Sequence, residues 1–149
     1  MDIFPPKKRS QVMRCIKSKN TSPEIAIRKY LHKQGMRFRL HVKSLPGSPD
    51  LFLRKYNAAI FYHGCFWHGH NCKSIPKSNV EFWENKIHRN KNRDQANTQM
   101  LLKLGYRVLI IWGCSHTTKY KLNMMLLKTY CWIQSASFYN ELSREENQD

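Results

Sequence analysis

Carboxylates are scarce in this chain of 149 residues: ten Asp and Glu stand against 26 Lys and Arg, a formal net charge of +16. So lopsided a balance predicts a polyanionic partner, and nucleic acid fits best. An anionic membrane surface fits less well, because no basic amphipathic helix stands apart from a core. Long apolar runs are also missing. No stretch approaches the roughly 20 residues of a membrane span, and residues 1–10 contain no apolar core of an export signal. Cysteines number five, an odd count with no export signal before them. That argues against a disulfide framework and for a reducing cytoplasm, with Cys15 and Cys131 as ordinary thiols. Glycine and proline are few at six each, and neither an internal repeat nor a linker is visible. A single domain over 1–149 is expected, since a chain this long can bury about 68–70 % of its unfolded surface without disulfide help. Its two ends differ from the rest: 1–18 reads as a basic arm, and 136–149 is expected to fray.

What is present concentrates in Ala59–Cys72. An apolar run of strand type ends at His63 and breaks at Gly64 into a loop with two further His, two Cys, Phe66 and Trp67. Cys65, His70 and Cys72 have metal-ligand chemistry at C-x4-H-x-C spacing, close enough to converge on one ion at little loop-closure cost. The stretch holds no carboxylate, which favours a soft or borderline ion such as Zn²⁺ over Mg²⁺ or Ca²⁺. A structural zinc site takes four ligands. Cys114, ending the apolar run Val108–Gly113, is the candidate fourth if that strand lies beside the first. The alternative is a buried free thiol.

The remaining elements follow from periodicity and punctuation. Ser22-Pro23-Glu24 reads as a helix start with Ser22 as N-cap, and Gly35 as its stop. A short helix is expected at 10–17. Arg37–Val42 alternates like a half-exposed strand. After the turn Leu45–Pro49, Leu51–Leu53 reads as a buried strand, Arg54–Asn57 as a hairpin turn and Ala58–His63 as the returning strand. Asp50 and Phe52 share one face of the first strand, and Phe61 and His63 share one face of the second, so that hairpin can set Asp50 beside His63. Glu81–Leu104 reads as a long helix whose inward stripe is Trp83, Ile87, Asn90, Asp94, Asn97 and Leu101. Its polar middle either overlooks a site or is simply solvated. Tyr106–Trp112 is a further strand, and Lys119–Ile133 a last helix with Leu122, Met125, Leu126 and Tyr130 on one face. The expected fold class is α/β, a three-layer α/β/α core with a mixed sheet.

Pro49-Asp50 at a strand start, followed by a second strand, is the frame of the PD-(D/E)-x-K nucleases, although Phe61-Tyr62-His63 supplies neither the acidic residue nor the lysine of that frame. The separate blocks Met13-Arg14, Asn20–Glu24, Leu45–Asp50, His63–His68, Glu81–Trp83 and Arg107–Cys114 together resemble the very short patch repair (Vsr) DNA mismatch endonucleases, over about residues 8–133. The resemblance implies a restriction-endonuclease-like fold with a structural zinc site. It implies a bacterial, nucleoid-associated enzyme that nicks one strand at a T·G mismatch left by deamination of 5-methylcytosine. Double-stranded DNA carrying that mismatch is the implied partner; mismatch-repair proteins are a further expected one, and the chain is expected to be a monomer.

By the same resemblance Asp50 is a Mg²⁺ ligand together with the backbone carbonyl of Tyr62, and His63 and His68 are active-site histidines. Glu24 is a supporting acid, and Asp94 the acidic partner of His68. Zn²⁺ falls to Cys65, His70, Cys72 and Cys114. Phe66, Trp67 and Trp83 are implied to wedge into the duplex, with Met13 reaching from the other groove. The chemistry is consistent with that assignment. With no lysine in the expected slot an imidazole must take the proton of the attacking water, and one titrating near neutrality suits the task. His68 is the expected base, and His63 would contact the phosphate. The alternatives are His63 or His68 as a further zinc ligand, and Phe66 and Trp67 as core residues. Wedging costs a few kcal/mol per base step and costs less at a mismatch, which turns the cost into selectivity. Tyr62, Gly69 and Gly113 depart from the family pattern. The rival readings are a zinc-stapled DNA-binding module without catalysis and a related nuclease without mismatch preference.

Overall fold

A computed structural model of the chain describes residues 20–144. The basic arm, Met13, Cys15 and the helix expected at 10–17 lie outside that range. The described elements are α1 (Ser22–Lys33), β1 (Arg39–Leu40), β2 (Leu51–Leu53), β3 (Ala58–His63), α2 (Val80–Lys103), β4 (Arg107–Trp112), α3 (Lys119–Gln134) and β5 (Tyr139–Leu142). The five strands form one mixed sheet in the order β1-β2-β3-β4-β5. β1, β2 and β3 pair antiparallel, while β4 runs parallel to β3 and to β5.

Two apolar clusters flank the sheet. One joins Ile27 and Leu31 of α1 and Met125, Leu126, Trp132 and Ile133 of α3 to Leu51, Leu53, Ile60, Leu109 and Ile111. The other sets Leu101 of α2 against Phe52, Phe61, Val108, Ile110 and Trp112. The central strands β3 and β4 are therefore apolar on both faces, as their unbroken runs suggested. Full burial of each Leu or Ile is worth roughly 1.5–3 kcal/mol, so these two strands form a stiff base for whatever follows their C-terminal ends.

Glycines stop two helices in the way their positions suggested. Gly35 (φ +82) and Gly105 (φ +87) follow α1 and α2 in the left-handed conformation. The amides of Gly35 and Met36 bond the carbonyls of His32 and Leu31, and those of Gly105 and Tyr106 bond Leu102 and Leu101; both are Schellman closures. Asn57 (φ 50) ends the 3-10 turn Arg54–Tyr56 between β2 and β3.

Three expectations need correcting. The N-cap of α1 is Thr21, in extended conformation, not Ser22; Glu24 folds back to accept from the Asn20 amide and the Thr21 hydroxyl. The strand expected over 37–42 shrinks to Arg39–Leu40, both exposed, since His41 turns to φ 48 and breaks the extended run. The tail expected to fray from 136 instead contributes β5 at the sheet edge. Arg107 of β4 fixes it there, donating to the carbonyls of Trp132, Ile133, Ser135 and Ser137.

Candidate active site and metal centre

Parallel pairing of β3 with β4 sets His63 opposite Trp112. The chain then leaves both strands side by side, which brings Cys65 and Cys114 to one place. Candidate ligand atoms of Cys65, His70, Cys72 and Cys114 all lie within 4.8 Å of one another. His70 Nδ1 is 3.0 Å from Cys72 Sγ and 3.6 Å from Cys114 Sγ. Burial, reinforced by the neighbouring thiols of Cys72 and Cys114, pushes the Cys65 thiol up to about 12. A metal ion at this point would reverse that preference of the Cys65 thiol, since a coordinated sulfur binds as thiolate. The donor set therefore fits a metal ion. The loop is pressed against α2: a Cβ at Gly69 (φ +67) would lie 2.5 Å from Ile87 Cγ2 and 2.6 Å from Lys91 Cδ. Only glycine fits there, which explains the departure noted at that position.

On the α2 side of the sheet lies a second constellation. The rings of His63 and His68 stack with centroids 3.8 Å apart and parallel planes. His68 Nδ1 is 2.6 Å from Asp94 Oδ2, and His63, His68 and Asp94 present ligand-type atoms within 4.8 Å of one another. Burial, with His68 adjacent, lowers the His63 pKa to about 3, so its ring is neutral at physiological pH. His63 Nδ1 is buried and has no hydrogen-bond partner among the described residues.

Asp50 stands just before β2, on the strand next to His63. Its Oδ2 accepts the Tyr62 amide at 2.8 Å. Burial raises its pKa to about 6; the Tyr62 amide pulls the value back, and the nearby Glu24 charge pushes it up. His68 is close enough to lower it. Glu24 is itself buried, and its carboxylate accepts from the Asn20 amide, the Thr21 hydroxyl and Arg28. The contact between Tyr62 and Asp50 is made by the Tyr62 amide. The Tyr62 side chain extends elsewhere and its hydroxyl lies 2.7 Å from His116 Nε2.

The stripe expected on α2 does face inward: Trp83 and Leu101 are buried, and Ile87, Asn90, Asp94 and Asn97 are half-buried. Its polar middle is occupied by the site. Asn90 donates to the Trp67 carbonyl at 2.9 Å, Asp94 holds His68, and Asn97 packs beneath Gly47. Phe66, Trp67 and Trp83 form one aromatic cluster with centroids 5.0–5.9 Å apart. Trp83 is the buried floor of that cluster, and the neighbouring Phe82 is 55 % exposed. Lys86 Nζ sits over the rings of Trp67, Phe82 and Trp83. An open cleft of about 650 Å³ runs from His68 past Lys91, Gln95 and Trp112 to Glu141 of β5.

Sequence reasoning missed His41, Arg28 and His116. Arg28 carried a readable signal, four residues after Glu24 on the same helix. His41 carried none, since its placement depends on a left-handed backbone.

A family model described as DNA mismatch endonuclease Vsr matches residues 1–74. Among curated relatives, the type II nicking enzyme V.NmeAIP of Neisseria meningitidis is 48 % identical over 120 residues, spanning 79 % of this chain and 86 % of its own. The type II nicking enzyme V.XorIIP of Xanthomonas oryzae is 45 % identical over 76 % of this chain and 85 % of its own. The DNA mismatch endonuclease Vsr of Escherichia coli K12 is 41 % identical over 81 % and 79 %.

Proposed function

The chain belongs to the DNA mismatch endonuclease Vsr family, and from that premise we propose that it nicks one strand of duplex DNA beside a T·G mismatch in the cytoplasm. The observation that carries the reading is the His68–Asp94 pair at 2.6 Å, stacked on a neutral His63 and one strand away from Asp50. Asp94 occupies Nδ1 of His68, which leaves Nε2 as the free proton acceptor. Water adds to the phosphorus as its proton passes to His68 Nε2, one bridging P–O bond breaks, and the departing oxygen takes a proton from solvent water. Such a positioned base is typically worth about 10²–10⁴-fold in rate. His63, kept uncharged by burial, offers a hydrogen bond to the phosphate instead of a charge. Asp50 and the Tyr62 carbonyl would hold Mg²⁺, with Glu24 supporting Asp50. One carboxylate suits Mg²⁺, which keeps most of its shell as water; when bound it supplies Lewis acidity at the phosphate.

Zn²⁺ is the proposed occupant of the Cys65, His70, Cys72 and Cys114 cluster, where it would stiffen the loop bearing Phe66, Trp67 and His68. Phe66 and Trp67 are the proposed wedge, with Trp83 backing them and Met13 approaching from outside the described residues. The reading is tested with Mg²⁺ and two duplexes that differ only in T·G against C·G. Nicking of the T·G duplex alone is expected. Equal nicking of both would leave a general nuclease, and no nicking a binding module. Asp50→Ala should bind the mismatch and leave it uncut.

A further inference from the structure

We propose that His41 is a positioning residue for Asp50, gripped by Arg28 so that its Nδ1 edge faces, without capturing, the carboxylate oxygen that takes the divalent cation. The inference rests on the reading of Asp50 as the cation ligand.

Arg28 Nη2 contacts Asn20 Oδ1 at 2.9 Å, His41 Nε2 at 3.2 Å and Glu24 Oε2 at 3.4 Å. A guanidinium only donates, so His41 Nε2 accepts and the ring proton of the neutral tautomer is on Nδ1. Asn20 Oδ1, 3.4 Å from the same ring nitrogen, is already engaged by Arg28 at the shorter distance. Nδ1 faces Asp50 Oδ1 at 3.6 Å. The two carboxylate oxygens are thus unequal. Oδ2 is pinned by the Tyr62 amide at 2.8 Å, whereas Oδ1 feels a donor too distant for a full hydrogen bond and keeps its lone pairs for a cation. The result is a fixed carboxylate plane with one oxygen left open.

Backbone geometry points the same way. The His41 amide donates to the Asp50 carbonyl and the Val42 amide to the Pro49 carbonyl, so His41 is paired directly with the residue it orients. It adopts φ 48, a conformation disfavoured for any residue with a Cβ and one that collects at functional sites when the surroundings enforce it. An exposed edge strand needs no such residue to end. The run Glu24–Arg28–His41–Asp50 links the buried acid of α1 to the cation-binding strand through named side chains.

The test uses the full chain with its cysteine cluster metal-loaded, and Mn²⁺ as probe. Mn²⁺ affinity is measured without DNA by electron paramagnetic resonance for wild type, Asp50→Ala, His41→Ala and His41→Asn. The thermal midpoint and the Mn²⁺ dependence of nicking are recorded alongside. Loss of such an outer contact typically weakens metal affinity about 10–100-fold. His41→Ala should fall in that range, with KM for DNA unchanged and kcat recovered at saturating Mn²⁺. His41→Asn, whose amide N–H overlays Nδ1–H, should return affinity to within a few-fold of wild type. Wild-type Mn²⁺ affinity in His41→Ala, with affinity lost in Asp50→Ala, would overturn the role of His41 alone. A His41→Asn variant that melts like wild type yet binds as weakly as His41→Ala would overturn it too. Wild-type affinity in Asp50→Ala would remove the Asp50 reading and this inference with it.

Discussion

Two side chains of the site are displaced from their ordinary titration in opposite directions by the same burial. Asp50 rises from 3.8 to about 6, so its protonated form is favoured by folding. The penalty for its charge appears as pH climbs from 3.8 through about 6 and is complete above that. His63 falls from 6.5 to about 3, so the folded state prefers it neutral, and that stability is lost as pH drops below 6.5 towards 3. Between 3.8 and 6.5 the two contributions oppose each other. Above pH 7 only the Asp50 penalty remains, at most about 2–3 kcal/mol for a shift of this size. Asp50→Asn should therefore raise the thermal midpoint of the Mg²⁺-free protein at pH 7.5 while abolishing nicking. Calorimetry checks the first and the T·G duplex assay the second; an unchanged or lower midpoint would contradict the buried-charge argument. At this scale the cysteine and histidine spacing already pointed to the convergence now seen around Cys65, His70, Cys72 and Cys114. His41 was not legible, because nothing in an alternating run announces one residue at positive φ.

Among the elements, α2 does most of the positioning, and it does so through its polar middle. It holds His68 by Asp94, the loop bearing Phe66 and Trp67 by Asn90 and that loop's closest approach by the absence of a side chain at Gly69. Gly69→Ala must both accept φ +67 and displace Ile87 and Lys91. It should cost about 1–3 kcal/mol, as overpacking typically does, and slow nicking by shifting the loop that carries His68. Gly35→Ala is the control: it has φ +82 with nothing within 4 Å, and should cost only about 1 kcal/mol for the backbone alone. Urea midpoints distinguish the two, and equal costs would refute the close-packing argument. The inward stripe of α2 was readable because a 3.6-residue period fixes which residues share a face. β5 was not, because Tyr139, Asn140 and Glu141 are all exposed. Its strand exists through pairing with β4 and through Arg107, contacts that local sequence does not encode.

For the molecule as a whole, the +16 charge sets how it meets a phosphate backbone. Neutralising 6–10 phosphates should weaken binding about 10³–10⁵-fold between 50 and 200 mM salt. If Phe66 and Trp67 act as the proposed wedge, the slope should be the same for T·G and C·G duplexes, since apolar insertion releases no counterions. Fluorescence anisotropy against salt measures it, and a slope that differed between the duplexes would assign charge to the mismatch readout. If the cluster holds the proposed Zn²⁺, chelation should lower the thermal midpoint and unmask the thiols of Cys65, Cys72 and Cys114 to a thiol reagent; thiols equally reactive before chelation would argue against a bound ion. Among the described residues no helix is long and apolar enough to cross a membrane. The amino-acid order by itself determined the α/β class, the cysteine–histidine cluster and the histidine pair, because those depend on residue type, short spacing and hydrophobic period. Tertiary structure alone decided that Asp50 is held by the Tyr62 amide and faced by His41, that Trp83 lies beneath Phe66 and Trp67, and that β5 closes the sheet. Each of these is a contact between distant segments, and its geometry follows from strand register and helix packing, which no local pattern records.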